Sequence, residues 1–265
     1  GVYGIFVGVY ASGGTTYDTQ AVPVLINPAA PSSIELLASS DSGAADGITN
    51  FNNSAGRPLW FRVNGVIDGA EVSLFADGAL IGQATAEGDS VLVMVGASVV
   101  LSDGAHAITA SQSLNDVEVG IGNGGGTVDL TSDASNALSI TVDTGVPTIS
   151  STTGVQARMG VLYEYDVQSP AEGDSGVGYR LATAPSGMTI DAATGAIAWT
   201  PAVLHGTEQS VVVVVFDAAG NETQQSFEIY INQAPAIWPI GNHSVEELSL
   251  LTFDVVATDA EGDLP

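Results

Sequence analysis

Gln225-Ser226-Phe227-Glu228-Ile229-Tyr230-Ile231-Asn232-Gln233-Ala234-Pro235 alternates large apolar with polar residues, reaches an asparagine, and meets a proline three residues on. Alternation with period two is the pattern of a strand with one face buried. Proline has no amide hydrogen to give to a ladder, so it stops the strand and stiffens the join. The same ending occurs twice more. Residues 20–27 run into Pro28-Ala29-Ala30-Pro31, and residues 137–143 run into Thr144-Gly145-Val146-Pro147. Each ending is preceded by a second alternating segment, at 2–10, 104–111 and 209–216. Glycine- and asparagine-rich stretches such as Ser12-Gly13-Gly14 and Asp217-Ala218-Ala219-Gly220-Asn221 lie between. These are hairpin signals, and three closing hairpins imply three domain ends.

Two further markers set a repeat length. Ala-Glu-Gly-Asp stands at 171–174 and again at 260–263, while Pro147 and Pro235 lie 88 residues apart. A repeat of about 88 residues follows. The expected layout is a closing hairpin of a preceding domain at 1–30, full domains at 31–147 and 148–235, and the opening of a further domain at 236–265. Helical periodicity is weak throughout. The clearest hairpin is Glu71–Ala76, Asp77-Gly78, then 79–84. The predicted fold is all-β, with antiparallel β-sandwich domains in series.

Composition limits the function. The 265 residues are 45% hydrophobic, enough to build cores. Thirty acids face four arginines and no lysine, for a net charge of −26. Nucleic-acid binding needs a basic footprint and docking on anionic lipid needs basic clusters, so neither partner is expected. Cations are attracted instead. Cysteine is absent, which removes disulfides, thiolate metal sites and a cysteine nucleophile. No run of 18 apolar residues exists to span a bilayer as a helix. The start at Gly1 and the stop at Pro265 after an acidic cluster are read as those of an internal piece of a longer protein.

Two resemblances refine the fold. Leu37-Ala38-Ser39-Ser40-Asp41-Ser42-Gly43 and Asp46-Gly47-Ile48-Thr49-Asn50 resemble the opening of a bacterial immunoglobulin-like repeat of giant surface adhesins. The pattern continues in Gly69-Ala70-Glu71-Val72-Ser73-Leu74-Phe75, Leu101-Ser102-Asp103-Gly104-Ala105-His106 and Val142-Asp143-Thr144. Residues 184–201, which include Asp191-Ala192-Ala193-Thr194-Gly195-Ala196-Ile197-Ala198-Trp199, resemble the central signature of dystroglycan-type cadherin-like repeats. Asn232-Gln233-Ala234-Pro235 and Thr258-Asp259-Ala260-Glu261-Gly262-Asp263 fit that family's linker and next opening. The resemblances together cover 31–265. They imply Ig-like and cadherin-like spacer or interaction modules, located outside the cell or on its surface and often rigidified by calcium near domain junctions.

Calcium takes six to eight oxygen ligands, which acidic loops supply. Asp259-x-Glu261-x-Asp263 places three carboxylates at alternate positions beside Gly262. Asp41, Asp46 and Asn50 are expected to converge with Asp143, and Glu172 and Asp174 with Asp217 and Asn221. The earlier acidic cluster has Pro170 where the later one has Asp259, which weakens it as a site.

Catalysis is not expected. Gly173-Asp174-Ser175-Gly176 resembles a protease serine loop, but no histidine stands in a matching context, and His106, His205 and His243 are scattered. A glycosidase needs two carboxylates in one cleft, which short sandwiches do not obviously provide. The glycine run 120–126 lacks the lysine and helix of a phosphate cradle. Trp60, Trp199 and Trp238 belong to separate predicted domains and are expected in cores or junctions. Sequons begin at Asn52, Asn221 and Asn242.

The reading is therefore a non-catalytic structural or adhesive segment of a large extracellular repeat protein. Its expected partners are neighbouring repeats of the same chain. Two alternatives stand beside it. One is a subunit segment of a self-assembling filament or surface layer, with copies of itself as partners. The other is a carbohydrate-binding accessory region of a secreted hydrolase, with surface glycans as partners.

Overall fold

In a computed structural model the described residues are 2–9, 18–119, 126–170, 177–202 and 205–259. Glu172, Asp174, Glu261, Asp263, the serine-loop stretch 173–176 and most of the glycine run 120–126 lie outside them. Every regular element of more than one turn among the described residues is a strand, as the alternation requires. The chain divides into two units, Gly1–Gly145 and Val146–Pro265.

In the first unit, β1 (Val2–Val9) and β2 (Asp18–Leu25) pair antiparallel as the expected hairpin, from Val2↔Leu25 to Val9↔Asp18. Next come β3 (Ser33–Leu36), β4 (Ile48–Thr49), β5 (Trp60–Asn64), β6 (Glu71–Ala76), β7 (Ala79–Thr85), β8 (Ser90–Met94), β9 (Gly104–Val119), β10 (Gly126–Thr131) and β11 (Leu138–Val142). One sheet runs β3-β5-β8, and the other runs β4-β11-β9-β6-β7 with β10 also on β9. Alternation decides which side chains enter the core. Phe61, Val63 and Val93 come from the small sheet, and Val72, Leu74, Ile108, Ile140 and Val142 from the large one. Each such buried apolar side chain contributes about 1.5–3 kcal/mol. The β6–β7 turn is the predicted Asp77-Gly78, with φ of 52° and 84°, the two positive values a type I′ hairpin turn demands.

The second unit contains β12 (Gln156–Arg158), β13 (Tyr163–Asp166), β14 (Gly178–Thr183), β15 (Thr189–Ile190), β16 (Ala196–Trp199), β17 (Glu208–Phe216), β18 (Glu222–Asn232), β19 (Ala236–Ile237) and β20 (Ala257–Thr258). Its sheets are β12-β18-β17-β14 and β13-β16-β15, with β19-β20 as a separate pair. Tyr163, Tyr165, Val167, Ile197 and Trp199 meet Val211, Val213, Val215, Ile229 and Ile231 in one core. The stretch 191–199 folds for local reasons. Asp191 Oδ1 accepts the amides of Ala193 and Thr194, each at 2.9 Å, and these bonds hold its carboxyl below the usual range. Gly195 then turns left-handed at φ 76°, where a Cβ would stand 2.4 Å from the Val167 carbonyl oxygen. That turn sends Ile197 and Trp199 inward, and the indole Nε1 donates to the Ser186 carbonyl at 3.2 Å.

Two features depart from a purely antiparallel design. β4 joins β11 in parallel, and β12 joins β18 in parallel. In each, an early strand is laid along a much later one at a sheet edge, so no hairpin dictates their direction.

Candidate metal-binding loops

The loop between β3 and β4 is organised by two buried hydroxyls. Ser40 Oγ donates to the Pro58 carbonyl and accepts the Trp60 amide, both at 3.0 Å. Thr49 Oγ1 donates to the Ser40 carbonyl at 2.8 Å and accepts the Phe51 amide at 3.0 Å. Ser42 Oγ accepts the Asn50 amide at 2.7 Å. Asp41 is held inside this ring. Its Oδ2 accepts the Gly47 amide at 3.3 Å, while its Oδ1 is buried with no hydrogen-bond partner. Burial pushes the Asp41 carboxyl above its ordinary value; the Gly47 amide opposes this and the charge of Asp46 adds to it. A buried carboxylate oxygen without a donor is costly, and a proton or a cation relieves it.

Asp46 Oδ1 accepts the Ile48 amide at 3.0 Å. The parallel register Val142↔Thr49 and the Asp143 amide bond to the Thr49 carbonyl at 2.9 Å bring Asp143 beside Asn50. Asp143 Oδ1 accepts the Gly145 amide at 2.9 Å, and Arg57 donates to the Asn50 carbonyl at 3.0 Å. The predicted set is thus arranged as two neighbouring pairs, Asp41 with Asp46 and Asn50 with Asp143. Among the described residues no three acids or histidines gather closely enough to hold a metal ion. The donor chemistry at Asp41 and Asp46 fits a hard cation. The Asn50 side of the loop already has a guanidinium.

Asp217 and Asn221 do something different. In the β17–β18 turn, Asp217 Oδ1 accepts the Asn221 amide at 2.8 Å and Oδ2 accepts Asn221 Nδ2 at 2.9 Å. The Asp217 amide donates back to the Asn221 carbonyl at 3.1 Å. Both carboxylate oxygens are engaged within the turn, so this pair fits a closed turn better than a cation. Asn221 is 3% exposed, which also withdraws its sequon from the surface. Of the last acidic cluster only Asp259 is among the described residues.

Sequence reasoning missed an ion pair between a buried histidine and an exposed aspartate. His106, on β9, places Nδ1 2.7 Å from Asp77 Oδ2 and Nε2 2.8 Å from the Ser102 carbonyl. Asp77 Oδ1 accepts the Ala107 amide at 2.9 Å. Both ring nitrogens face acceptors, so both bonds form only in the imidazolium. Burial opposes that charge, but the Ser102 carbonyl and the Asp77 carboxylate outweigh it and raise the His106 pKa. The Ala107 amide and His106 lower that of Asp77. The turn Asp77-Gly78 was legible, but its proximity to His106 depends on the β6–β9 register. The histidine's second nitrogen meets a backbone carbonyl, not a nucleophile, so the pair has the geometry of a clasp. Of the tryptophans, Trp199 is core, Trp60 half-buried and Trp238 64% exposed.

Residues 146–232 match a family model described as "Putative Ig domain". No curated protein is a match to the chain. Among solved structures, the chain is similar to a C-terminal 282-residue fragment of intimin in complex with the intimin-binding domain of its translocated receptor. The identity is 11%, over 79% of this chain and 66% of that one, with a TM-score of 0.42. It is similar to fibronectin(III)-like modules of Clostridium thermocellum CbhA, at 13% identity, 81% and 100% coverage and a TM-score of 0.40. It is also similar to a Ca2+-stabilized adhesin of an Antarctic bacterium that binds ice, at 18% identity, 89% and 59% coverage and a TM-score of 0.40. At these identities and scores the fold rests on the sheets and cores described above. No helix among the described residues is long and apolar enough to cross a membrane.

Proposed function

We propose that this chain is a non-catalytic structural or adhesive segment of an extracellular or cell-surface repeat protein. Its domains would run 1–30, 31–147, 148–235 and 236–265, with neighbouring repeats as partners and calcium as a stiffening ion. What supports this reading is the molecule's economy: strand-built units closed around their own apolar cores, a charge of −26, and a family match over 146–232. The single observation that supports calcium is the buried, partnerless Oδ1 of Asp41 beside Asp46. A divalent ion there would take Asp41 and Asp46 oxygens, with Asn50 and Asp143 near at hand, and neutralise a charge that burial otherwise disfavours.

The test is thermal unfolding in millimolar calcium against excess chelator. Calcium at about 100 times its dissociation constant stabilises a one-site unit by about 2.7 kcal/mol. A raised first-unit transition supports the reading, and identical melting in both conditions removes calcium from it. A glycan-binding role has Trp238 as its candidate stacking surface, because that ring is exposed. Retained glycan-array signal in Trp238→Ala would remove that role.

A further inference from the structure

Two inward-facing rows end in polar residues where alternation calls for apolar ones. On β9 the buried row of Ile108 and Ala110 is continued by Gln112, which is 1% exposed. On β18 the row of Ile231, Ile229 and Phe227 is continued toward the start of the strand by the half-buried Gln225 and Thr223. An amide or hydroxyl turned toward an apolar core costs free energy unless partners are supplied. A local rule broken in this way points to a task other than packing.

In both rows the partners include carbonyls of the chain that enters the domain. Gln112 Nε2 donates to the Ala29 carbonyl at 2.7 Å, across 83 residues, while Oε1 accepts the Ile67 amide at 2.7 Å. An N–H on one side and a carbonyl on the other fix which way the amide group points. Gln112 is itself held at its backbone, where its amide donates to Ser132 Oγ at 3.0 Å and its carbonyl accepts the Ser132 amide at 2.9 Å. Pro28 and Pro31, on either side of Ala29, are buried. The Ser32 amide then donates to the Asn64 carbonyl at 2.8 Å, and a Cβ on Gly65 would stand 2.4 Å from Ser32 Oγ, so the entering chain lies hard against the end of β5. In the second unit Thr223 Oγ1 donates to the Pro147 carbonyl and Gln225 Nε2 to the Ser151 carbonyl at 3.0 Å. Gln225 Oε1 accepts the Tyr165 hydroxyl at 2.7 Å, which fixes that amide in turn.

We propose that these side chains are entry clamps. Gln112 fixes the segment 28–31 to the domain at 31–147, and Thr223 with Gln225 fixes 147–151 to the domain at 148–235. The holds are direct hydrogen bonds and need no metal ion, so the order of each entering segment is independent of calcium. Polar residues stand at the ends of the two rows because the entering carbonyls must be met there, and an apolar side chain cannot meet them. This inference rests on the domain boundaries proposed above and not on the calcium reading.

The test is 15N relaxation and hydrogen exchange on the full chain in excess chelator. In the parent, Ala29, Ala30 and Thr148 are expected to have the order parameters of rigid backbone, about 0.85. Gln112→Met keeps the length of the side chain and removes its donor and acceptor. Gln112→Glu keeps the acceptor for Ile67 but turns a carboxylate toward the Ala29 carbonyl. Both should drop Ala29 and Ala30 below about 0.6 at neutral pH. Acidification should restore them in Gln112→Glu alone, because the protonated acid regains a donor, and a residue that only packs would show no such rescue. Thr223→Val, equal in shape and without the hydroxyl, should loosen Thr148 in the same way. Unchanged exchange in β5, β6 and β17 shows that the variants are folded. Mobile Ala29 in the parent, or order that appears only on adding calcium, overturns the clamp. Ala29 as rigid in both Gln112 variants as in the parent overturns it at the first domain, and an indifferent Thr148 overturns it at the second. Loss of protection in β3 and β5 together with Ala29 overturns the boundary instead, because it makes 28–31 part of the core and not an entering segment.

Discussion

The Asp41 loop and the Asp217 turn have similar ingredients, an aspartate followed within ten residues by glycine and asparagine, yet they end in opposite states. Asp217 finds donors for both oxygens within four residues, from the amide and the side chain of Asn221. Asp41 finds one donor, the Gly47 amide, and its other oxygen is enclosed without any. The first arrangement is finished by its own chain. The second is stable only to the extent that the Ser40, Ser42 and Thr49 bonds around it hold the aspartate in place. An acidic loop becomes a candidate cation site through what its oxygens still lack, not through how many acids it holds.

The largest expected effect is on the closed turn. Asp217→Ala removes the carboxylate that accepts both the Asn221 amide and its buried Nδ2 and is expected to cost about 2–3 kcal/mol. At about 4–8 °C per kcal/mol for a domain of this size, the second-unit transition in calorimetry falls by roughly 10–20 °C. It should do so equally with calcium and with chelator. A cost present only in calcium would break the contrast, because it would make Asp217 a ligand.

Next comes the open loop. At about ten times the dissociation constant, calcium is expected to raise first-unit stability by about 1.4 kcal/mol. Asp41→Asn should abolish most of that gain. In chelator the same variant should be at least as stable as the parent, for a reason whose sign is fixed. The folded pKa of Asp41 lies above the unfolded value, so the folded state favours the proton and stability from this group grows as pH falls through the folded pKa. At neutral pH the ionised group is a liability, which asparagine removes. A large loss of stability for Asp41→Asn in chelator would show that the orphan oxygen has a donor after all.

The clasp gives a smaller, pH-confined effect. His106 has a raised pKa, so its contribution is complete below about pH 6.5 and is lost as pH rises through the folded value. Asp77 has a lowered one, so its contribution is complete above about pH 4 and is lost as pH falls through its folded value. The melting difference between the parent and His106→Gln should therefore peak between about pH 4 and 6.5 and shrink on either side. A difference independent of pH would reduce the histidine to packing.

The smallest effect sharpens the other end of the scale. Arg180 Nη2 lies 2.8 Å from both Glu222 oxygens, one residue from Asn221, but both partners are nearly half exposed. Glu222→Gln should cost under about 1 kcal/mol and less in high salt. A cost near that of Asp217→Ala would mean the turn is held from outside.

Much of the fold was legible because strands and turns speak over short distances. The pairs β1–β2, β9–β11 and β17–β18, and the turn Asp77-Gly78, all follow from period-two alternation and local punctuation. The candidate site was legible only as composition. Ser40 reaches Pro58 and Trp60, Thr49 reaches back to Ser40, and Asp143 arrives along β11, so although the one donor to Asp41, the Gly47 amide, is local, the hydroxyl bonds that frame the loop depend on segments farther along the chain. The parallel pairings of β4 and β12 were likewise invisible, since no turn joins an edge strand to a partner 93 or 74 residues away.

The amino-acid order alone determined that this chain builds small strand-made bodies, where their hairpins turn, and that a strand-ending proline and an Ala-Glu-Gly-Asp stretch each recur at an interval of about 88 residues. Those properties depend on neighbours two to four residues apart, which is the range over which backbone sterics and side-chain alternation act. Only the tertiary structure decided which carboxylates are satisfied and which histidine is clasped. Satisfaction and burial depend on what other strands deliver to a point in space, and a linear pattern does not specify that delivery.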